Sequence, residues 1–346
     1  MEKHSKKTQL FLEIPEAFYE QLDRFSQVTL FHQKPWHNFL KKTFGWQVSA
    51  LVCFKNRNEL GFFLPFISKR RFGKSINICL PFSHQIGPAY EPDFPPGAIT
   101  LEEYGPGMEI HDRVVHEYGQ YQENYFLSIL ELSKYAGIDE LFSAFNESSI
   151  QRKIKKAQKS SLGIVKGFDP DQLDEFSRLQ SLTRWRQGSP TYPAMFFRNM
   201  AEELGKAGQI QLYLAFLEGR AVGGTLFLYD RNQGFYGYGA SVNDREVWKL
   251  GVNQLTMWEA IKDAFQKGCT RVDFGRTPSS HLNLLTYKEK WGAVSTPLTY
   301  TYIGHNNKIH LISRDSALID SGSQILRRMP YPLFRVISPI LLKQAI

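Results

Sequence analysis

The chain has 346 residues, of which 42% are hydrophobic and 14% aromatic, and this composition excludes a disordered chain and allows two domains. The formal charge of +8 favours an anionic partner, such as a phosphate-rich cofactor, RNA or an acidic lipid surface. Three cysteines without CxxC spacing argue against a disulfide framework and indicate a reducing compartment. No secretory leader and no long apolar run is evident, so the sequence predicts a cytoplasmic protein.

The first half of the chain reads as helices followed by strands. Pro15 and the apolar stripe of Trp36, Phe39 and Phe44 predict two helices between residues 15 and 45. Polar turns separate the strands that follow. These strands are predicted at 47–54, 59–67 and 74–80, with weaker β-like patches at 98–103 and 111–116, a helix at 123–136 and a strand at 138–145.

His111, Asp112 and His116 invite interpretation as a metal site. The two histidines are five residues apart and no further ligand cluster adjoins them. Zinc sites in proteins usually need three or four such ligands. We therefore predict hydrogen-bonded or solvated histidines and no metal.

Residues 148–161 form the most basic predicted helix of the chain. Arg152, Lys153 and Lys156 are its candidates for an anion-binding surface, and a solvated linker helix is the alternative. The second half then repeats the order of helices, hairpin strands, helix and strand, which predicts two mixed α/β domains. Its elements are predicted at 171–184, 192–206, 209–217, 221–229, 234–240, 251–267 and 270–274.

The stretch from 271 to 293, RVDFGRTPSSHLNLLTYKEKWGA, gathers the polar groups with the clearest chemical potential. We read it as a short strand that breaks at Gly275, a polar loop, and an amphipathic segment. Loops held on rigid elements often carry binding and catalytic groups. An ordinary strand–loop–helix connection with solvated side chains is the alternative.

Several enzyme classes are excluded by their missing motifs. The chain has no P-loop, no dinucleotide-binding G-x-G-x-x-G, no H-E-x-x-H and no G-x-S-x-G elbow. Asp273-Phe274-Gly275 spells DFG, but the other kinase motifs are missing, so a kinase is not predicted.

The run D-F-G-R, followed by L-x-x-Y-K-x-K-W-G-A and a β-rich segment at 299–302, resembles the C-terminal signature of the FemAB-like branch of the GNAT acyltransferase superfamily. The basic segment at 152–165 and the L-P-F motif at 80–87 are similar to segments of the same family. The resemblance implies an α/β fold of two tandem GNAT-like domains, each a mostly antiparallel sheet flanked by helices. It divides the chain into a first domain at 1–147, a connecting helix and strand at 148–168, an acyltransferase domain at 169–310 and a helical tail at 311–346.

Studied members of this branch take aminoacyl groups from charged tRNA and attach them to an amine of a peptidoglycan precursor. The resemblance therefore implies an N-acyltransferase with acyl-CoA or aminoacyl-tRNA as donor and an anionic, nucleotide- or lipid-linked acceptor from the cell envelope or an exopolysaccharide. Transfer from acetyl-CoA to an amino sugar is a second expectation. A degenerate GNAT module that binds without catalysis is a third, and tRNA rather than DNA is the nucleic acid expected.

The same resemblance implies site residues, each of which has a structural role as its alternative. GNAT enzymes use a phosphate loop before a helix, and here that loop keeps one glycine and one nearby cation. In GNAT enzymes a separated pair of strands admits the acyl carbonyl of the donor, and Tyr236 is a further candidate for lining that slot. The catalytic residues implied are Lys288, Arg276 and Asp273. The substrate-binding residues implied are Arg184, Arg186, Tyr192, Tyr238, Gly275 and His281. The donor-binding residues implied are Lys249, Gly251 and Asn253.

The C-terminal segment from Ile325 to Ile346 alternates basic and apolar groups. We expect it to pack on the domain, and contact with an acidic membrane surface is the alternative.

Overall fold

The computed structural model describes residues 8–71, 74–83, 85–94, 108–112, 121–303 and 317–345. The chain divides into two compact units: unit 1 takes in Met1–Tyr125 and Pro297–His310, and unit 2 takes in Phe126–Thr296 and Leu311–Ile346. The predicted boundaries at 147, 168 and 310 remain a prediction. The β-like patch at 98–103 and the side chains of the three candidate metal ligands lie outside the described residues.

The secondary structure is a mixture of strands and helices throughout, as the sequence predicts. In chain order the first elements are β1 (Gln9–Phe11), α1 (Glu16–Tyr19), α2 (Lys34–Phe44), β2 (Val48–Phe54), β3 (Leu60–Arg71), β4 (Lys74–Cys79), β5 (Ala89–Tyr90), β6 (Met108–Asp112), β7 (Tyr121–Glu131), α3 (Ile138–Ser143), α4 (Arg152–Gln158), β8 (Gly163–Gly167) and α5 (Pro170–Gln187). The others are α6 (Phe196–Gly205), β9 (Ile210–Leu217), β10 (Arg220–Asp230), β11 (Gln233–Ser241), α7 (Arg245–Leu250), α8 (Val252–Gln266), β12 (Arg271–Pro278), α9 (Leu282–Glu289), β13 (Val294–Ile303), α10 (Ala317–Arg328) and α11 (Tyr331–Ala345).

Unit 1 contains strands in the order β1–β2–β3–β4–β6, to which the later residues of β13 add. The pairs β1–β2, β2–β3 and β3–β4 are antiparallel, and β4–β6 is parallel. Helix α2 buries the predicted stripe of Trp36, Phe39 and Phe44, which confirms that helix. The first predicted helix is instead a one-turn helix, α1, followed by a 3-10 turn at Leu22–Arg24.

Unit 2 contains strands in the order β7–β12–β11–β10–β9–β8. The pairs β8–β9, β9–β10 and β10–β11 are antiparallel, whereas β11–β12 is parallel. A parallel pair needs a crossover connection, and α7 and α8 supply it. The core that covers this sheet is aromatic: Trp258 lies edge-on to Phe142 and Phe145, and Phe145 lies edge-on to Trp291.

Three predicted elements of unit 2 differ from the structure. Residues 123–136 were expected to be helical, but they contain strand β7, whose residues 127–130 are all buried. A run of buried residues without a polar face fits a central strand as well as a helix. Residues 138–145, expected as a strand, begin with helix α3. The strand predicted at 270–274 was expected to break at Gly275, but β12 continues to Pro278.

None of the helices in the described ranges is long and apolar enough to cross a membrane. All three cysteines, Cys53, Cys79 and Cys269, are buried free thiols, as the sequence analysis expects.

Helix α8 is flanked by two glycines with left-handed backbone, Gly251 (φ 88°) at its start and Gly268 (φ 77°) after its end. A side chain at Gly268 would meet no atom within 4 Å. A Cβ at Gly251 would lie 2.6 Å from the backbone carbonyl oxygen of Lys153. Gly251 is therefore needed both for its conformation and for the close approach of α4 to the start of α8.

This difference gives a stability prediction. We expect Gly268→Ala to lower the free energy of unfolding by about 1–2 kcal/mol, the cost of left-handed backbone for a residue with a Cβ. Gly251→Ala should cost roughly 1–3 kcal/mol more, because α4 must also move. Urea unfolding of both variants measures the two values, and equal losses would mean that the contact with Lys153 is not rigid.

Candidate active site

Strands β11 and β12 separate soon after they begin. Their parallel pairing joins Gln233 to Arg271, Gly234 to Val272 and Phe235 to Asp273, and no later pair joins them within the described ranges. Strand β11 nevertheless stays paired with β10 as far as Ser241. The two neighbouring strands thus diverge from Tyr236 and Phe274 onward and leave a gap in the hydrogen-bond ladder of the sheet.

A β-bulge in β11 lies at the same level. Leu226 pairs with Tyr238 and Phe227 pairs with Tyr236, so Gly237 is the extra residue. Because Leu226 and Phe227 are consecutive, they face opposite sides of the sheet, and so do the tyrosines that pair with them. Tyr236 accordingly packs near Phe227 and Phe274, whereas Tyr238 packs against Tyr192 and helix α6. Sequence alternation alone would not place them apart.

The hydroxyl of Tyr236 lies directly over the backbone of Gly239. A Cβ built on Gly239 would be 2.0 Å from that hydroxyl oxygen, so a larger residue there would require the Tyr236 side chain to move. Burial raises the pKa of Tyr236, and the neighbouring Tyr287 raises it further. Burial also raises the pKa of Tyr287. Two neutral phenols, one from β11 and one from α9, therefore pack on the aromatic core close to each other.

Lys288 is buried where β12 has separated from β11. Its side chain is 4% exposed, and Nζ donates to the carbonyl oxygen of Gly275 at 2.6 Å and to that of Arg276 at 3.4 Å. Burial lowers the pKa of Lys288 to about 8, against the opposing effect of the negative charge of Asp273. Most of the Lys288 side chains therefore remain protonated at pH 7.

Asp273 and Gly275 fix the backbone that receives this ammonium group. The Gly275 N–H donates to Asp273 Oδ1 at 2.6 Å, and Gly275 has a φ of 74°. That left-handed conformation bends β12 without ending it. The structure thus brings together the three residues predicted to be catalytic, Asp273, Arg276 and Lys288, with Gly275 between them.

The predicted substrate-binding residues do not form a single group in the structure. Arg184 lies over the ring of Tyr192 at 4.4 Å and donates to its hydroxyl at 3.1 Å, and Tyr238 lies edge-on to the same ring at 5.4 Å. Burial raises the pKa of Tyr238. His281 is exposed at the start of α9, where its carbonyl accepts from the N–H of Leu284. Its observed contacts support a role in starting that helix.

Arg186 lies apart from Arg184 and contacts Trp248 of α7, next to the predicted donor-binding residue Lys249. Its guanidinium lies 5.3 Å from the ring of Trp248, and burial lowers the pKa of Arg186. The Nη1 atom is buried and has no hydrogen-bond partner within the described ranges. An unsatisfied buried donor is costly, so this nitrogen is suited to an acceptor that a ligand would bring.

The predicted donor-binding residues lie beside the basic helix α4. Lys249 pairs with Glu246 at 2.7 Å, Asn253 is exposed, and Gly251 contacts the backbone of Lys153. Helix α4 buries Ile154 and Ala157 and exposes Arg152, Lys153 and Lys156. Of these three, Arg152 pairs with Glu147 at 3.0 Å. The structure therefore joins two groups that the sequence analysis kept apart, the anion-binding surface and the donor loop.

Sequence reasoning missed Thr277 and Trp248, and it gave no role to Tyr287. Thr277 is fully buried on β12, and its hydroxyl has no partner among the described residues. The Tyr287-Lys288 pair carried a signal for Tyr287, whereas nothing in the sequence marked Thr277. Within the same residues, no three His, Cys, Asp or Glu side chains are grouped as metal ligands.

The sequence model of the acetyltransferase (GNAT) domain family matches residues 146–289, which include the strand gap and Lys288. This part of the chain is a GNAT domain. Solved structures extend the likeness beyond it: FemX, at 15% identity, superposes with a TM-score of 0.62 over 85% of this chain and 97% of its own. The prediction of a FemAB-like GNAT fold is confirmed.

Two further structures share the fold of the GNAT domain and its surroundings. L-PGS from Bacillus licheniformis, at 11% identity, has a TM-score of 0.52 over 92% of this chain and 97% of its own. The C-terminal domain of a putative lysylphosphatidylglycerol synthetase from Agrobacterium fabrum, also at 11%, has a TM-score of 0.51 over 89% and 96%. No curated protein sequence matches the chain.

The burial of Lys288 gives a second stability prediction. We expect Lys288→Met to leave the free energy of unfolding at pH 7 within about 1 kcal/mol of the parent or to raise it, because an apolar side chain avoids the desolvation of an ammonium group. Any gain should be largest below pH 8. It should shrink above pH 8, because the folded parent loses its proton at about 8 and the unfolded chain only near 10.5.

Lys290→Met, at an exposed lysine two residues away, is the matched control. Urea unfolding of both variants and of the parent from neutral to alkaline pH makes the measurement. A loss of more than about 3 kcal/mol in Lys288→Met alone would show that the bonds to Gly275 and Arg276 hold the fold together.

Proposed function

We propose that this chain is an N-acyltransferase that moves an acyl or aminoacyl group to an amine of a cell-envelope or polysaccharide precursor. The observation that carries the proposal is the position of Lys288, whose buried ammonium group on α9 donates to β12 just past the point where β12 separates from β11. The gap would admit the acyl carbonyl of the donor. We also propose that the chain is cytoplasmic.

The reaction would need little from the protein beyond placement and charge. The amine of the acceptor attacks the acyl carbonyl, a C–N bond forms, and negative charge develops on the carbonyl oxygen. Lys288 would stabilise that oxygen, because an ammonium group that is already desolvated interacts more strongly than one in water. The bond to the donor then breaks, its electron pair leaves with the donor, and the amine loses its proton to solvent or a nearby base.

The number of hydrogen bonds that Lys288 can still donate supports this role. An ammonium group has three protons, and two carbonyls, those of Gly275 and Arg276, accept from it within the described residues. The longer of these contacts, to Arg276, is weak at 3.4 Å. A substrate oxygen can therefore bind this group without displacing the hydrogen bond to Gly275.

The charges around α4 and α8 support a donor that carries phosphate. Lys153 and Lys156 are exposed on α4, whose backbone approaches Gly251 at the start of α8, and the N-terminus of a helix favours anions. Arg186 adds a buried nitrogen without a partner among the described residues. Acyl-CoA and aminoacyl-tRNA both satisfy this chemistry. The name of the putative lysylphosphatidylglycerol synthetase with this fold favours an aminoacyl group and a lipid-linked acceptor.

An acetyl-CoA-dependent amino-sugar N-acetyltransferase is the second candidate. The family model matched by residues 146–289 is described as an acetyltransferase, which favours it. Gly251 and Lys249, the remnants of a phosphate loop, would then contact the CoA pyrophosphate.

A ligand screen distinguishes these donors. We expect either acetyl-CoA or aminoacyl-tRNA to raise the melting temperature of the full chain, because a ligand that binds the folded state stabilises it. tRNA binding should weaken steeply as salt rises. Lys153→Gln with Lys156→Gln should raise the donor Kd about tenfold or more, since charge-assisted contacts are lost. Lys134→Gln, an exposed lysine elsewhere in unit 2, should leave it unchanged.

The pH dependence of transfer tests the catalytic role of Lys288. With a donor in hand, kcat should fall as pH rises through about 8, because the ammonium form stabilises the oxyanion and is lost there. A rate that rises through the same range would indicate a general base instead. Lys288→Met should lower kcat by roughly a hundredfold or more with little change in donor affinity. A folded Lys288→Met protein with full activity, or a parent that binds ligand without turnover, would contradict the proposal and favour a binding module.

A further inference from the structure

Helix α11 exposes an apolar ridge that the site does not use. Leu333, Val336 and Ile340 are spaced three and four residues apart, which places them on one face of the helix. Their exposed fractions are 48%, 69% and 59%, respectively. Aliphatic side chains of this kind, grouped on one helix face, mark a surface that another apolar medium covers.

The opposite face of α11 is fixed to unit 2. Phe334, Ser338 and Leu342 are buried there, and the backbone N–H of Thr191 donates to Ser338 Oγ at 2.9 Å. Just before α11, the indole N–H of Trp185 donates to the carbonyl of Met329 at 2.9 Å. A rotation of α11 that buried its ridge would break these contacts. The ridge is therefore exposed by the way the helix docks.

The charge on this segment is of one sign. Residues 321–346 contain four basic side chains, Arg327, Arg328, Arg335 and Lys343, and no Asp or Glu. Arg335 and Lys343 are exposed on α11 itself. Arg327 donates to the carbonyl of Gln187. An anionic surface with an apolar interior matches this pattern, since aliphatic side chains enter the acyl region while lysine and arginine reach the headgroups.

A second copy of the chain matches the pattern poorly. Two α11 ridges brought face to face would also bring together the cations beside them, without a carboxylate on residues 321–346 to pair with them. Like charges in contact oppose association. Lipid supplies the missing negative charge.

We propose that Leu333, Val336 and Ile340, together with the exposed cations Arg335 and Lys343 of the same helix, dock this chain on the surface of a membrane that contains anionic lipid. The helix lies in the interface and does not cross the bilayer. The docking surface stands independently of the acyltransferase activity, and its test requires no substrate.

The test is co-sedimentation of the full chain with phosphatidylcholine vesicles, with and without phosphatidylglycerol, at low and high salt. We expect binding to the vesicles with phosphatidylglycerol and a loss of binding as salt rises. Val336→Ser with Ile340→Ser should weaken it about tenfold or more, through lost apolar burial. Arg335→Gln with Lys343→Gln should also weaken it about tenfold, because each cation near an anionic surface contributes on the order of a factor of five.

Val294→Ser, which removes an apolar side chain of similar exposure (57%) elsewhere in unit 2, is the matched control and should bind as the parent does. Melting temperatures of all variants show whether each is folded, and the charge variant keeps the test valid if the apolar one is not. Equal binding by the parent and both α11 variants would overturn the proposal, as would no binding to either vesicle. Self-association without lipid that Val336→Ser with Ile340→Ser abolishes would assign the ridge to a second copy instead.

Discussion

The early separation of two parallel strands, β11 and β12, is the constraint on which the candidate active site depends. Once β11 has left, the carbonyls of β12 need another donor, and the ammonium group of Lys288 supplies it to Gly275 and Arg276. The crossover between the two strands then has to pass through α7 and α8. That path brings the start of α8 against α4 and its basic side chains. The position of Lys288 therefore follows from the break in the ladder, and the meeting of α8 with α4 follows from the crossover that the parallel pair needs.

The residues at this break are poor choices for stability. A lysine with its pKa lowered by burial contributes an unfavourable free energy to folding at neutral pH. The buried hydroxyl of Thr277, which has no partner in the described ranges, adds a further cost. Native proteins accept such costs where a ligand or a transition state later uses the group. The aromatic core around Trp258 and Trp291 provides the rigid surroundings that keep these groups in place.

Much of unit 2 could be predicted because its elements have strong local signals. Helix α5 begins at a proline after Asp169, and the strands from β9 to β11 are joined by short turns. Helix α3 carried a signal that was misread: Ile138, Leu141, Phe142 and Phe145 repeat at helical spacing and pack on one core. Strand β7 was ambiguous in principle, because a continuous buried run has no period to read.

Parts of the site depend on tertiary contacts that no local pattern reports. The motif at 271–293 pointed to Lys288 and Asp273. In the structure Asp273 lies on β12, and the ammonium group of Lys288, on α9, contacts the same strand. The bulge at Gly237 depends on how two strands pair, and the burial of Thr277 depends on packing far along the chain. Likewise, the close contact that requires glycine at position 251 is made by α4, a hundred residues earlier in sequence.

The contact between Tyr236 and Gly239 restricts how related chains can vary. Any side chain at position 239 would occupy the space of the Tyr236 hydroxyl, so a larger residue there requires either a shift of the Tyr236 ring or a smaller side chain at 236. These two positions should therefore co-vary as a pair. Because Tyr236 lies where the strands diverge, each exchange would also change the packing at the point where β11 leaves β12.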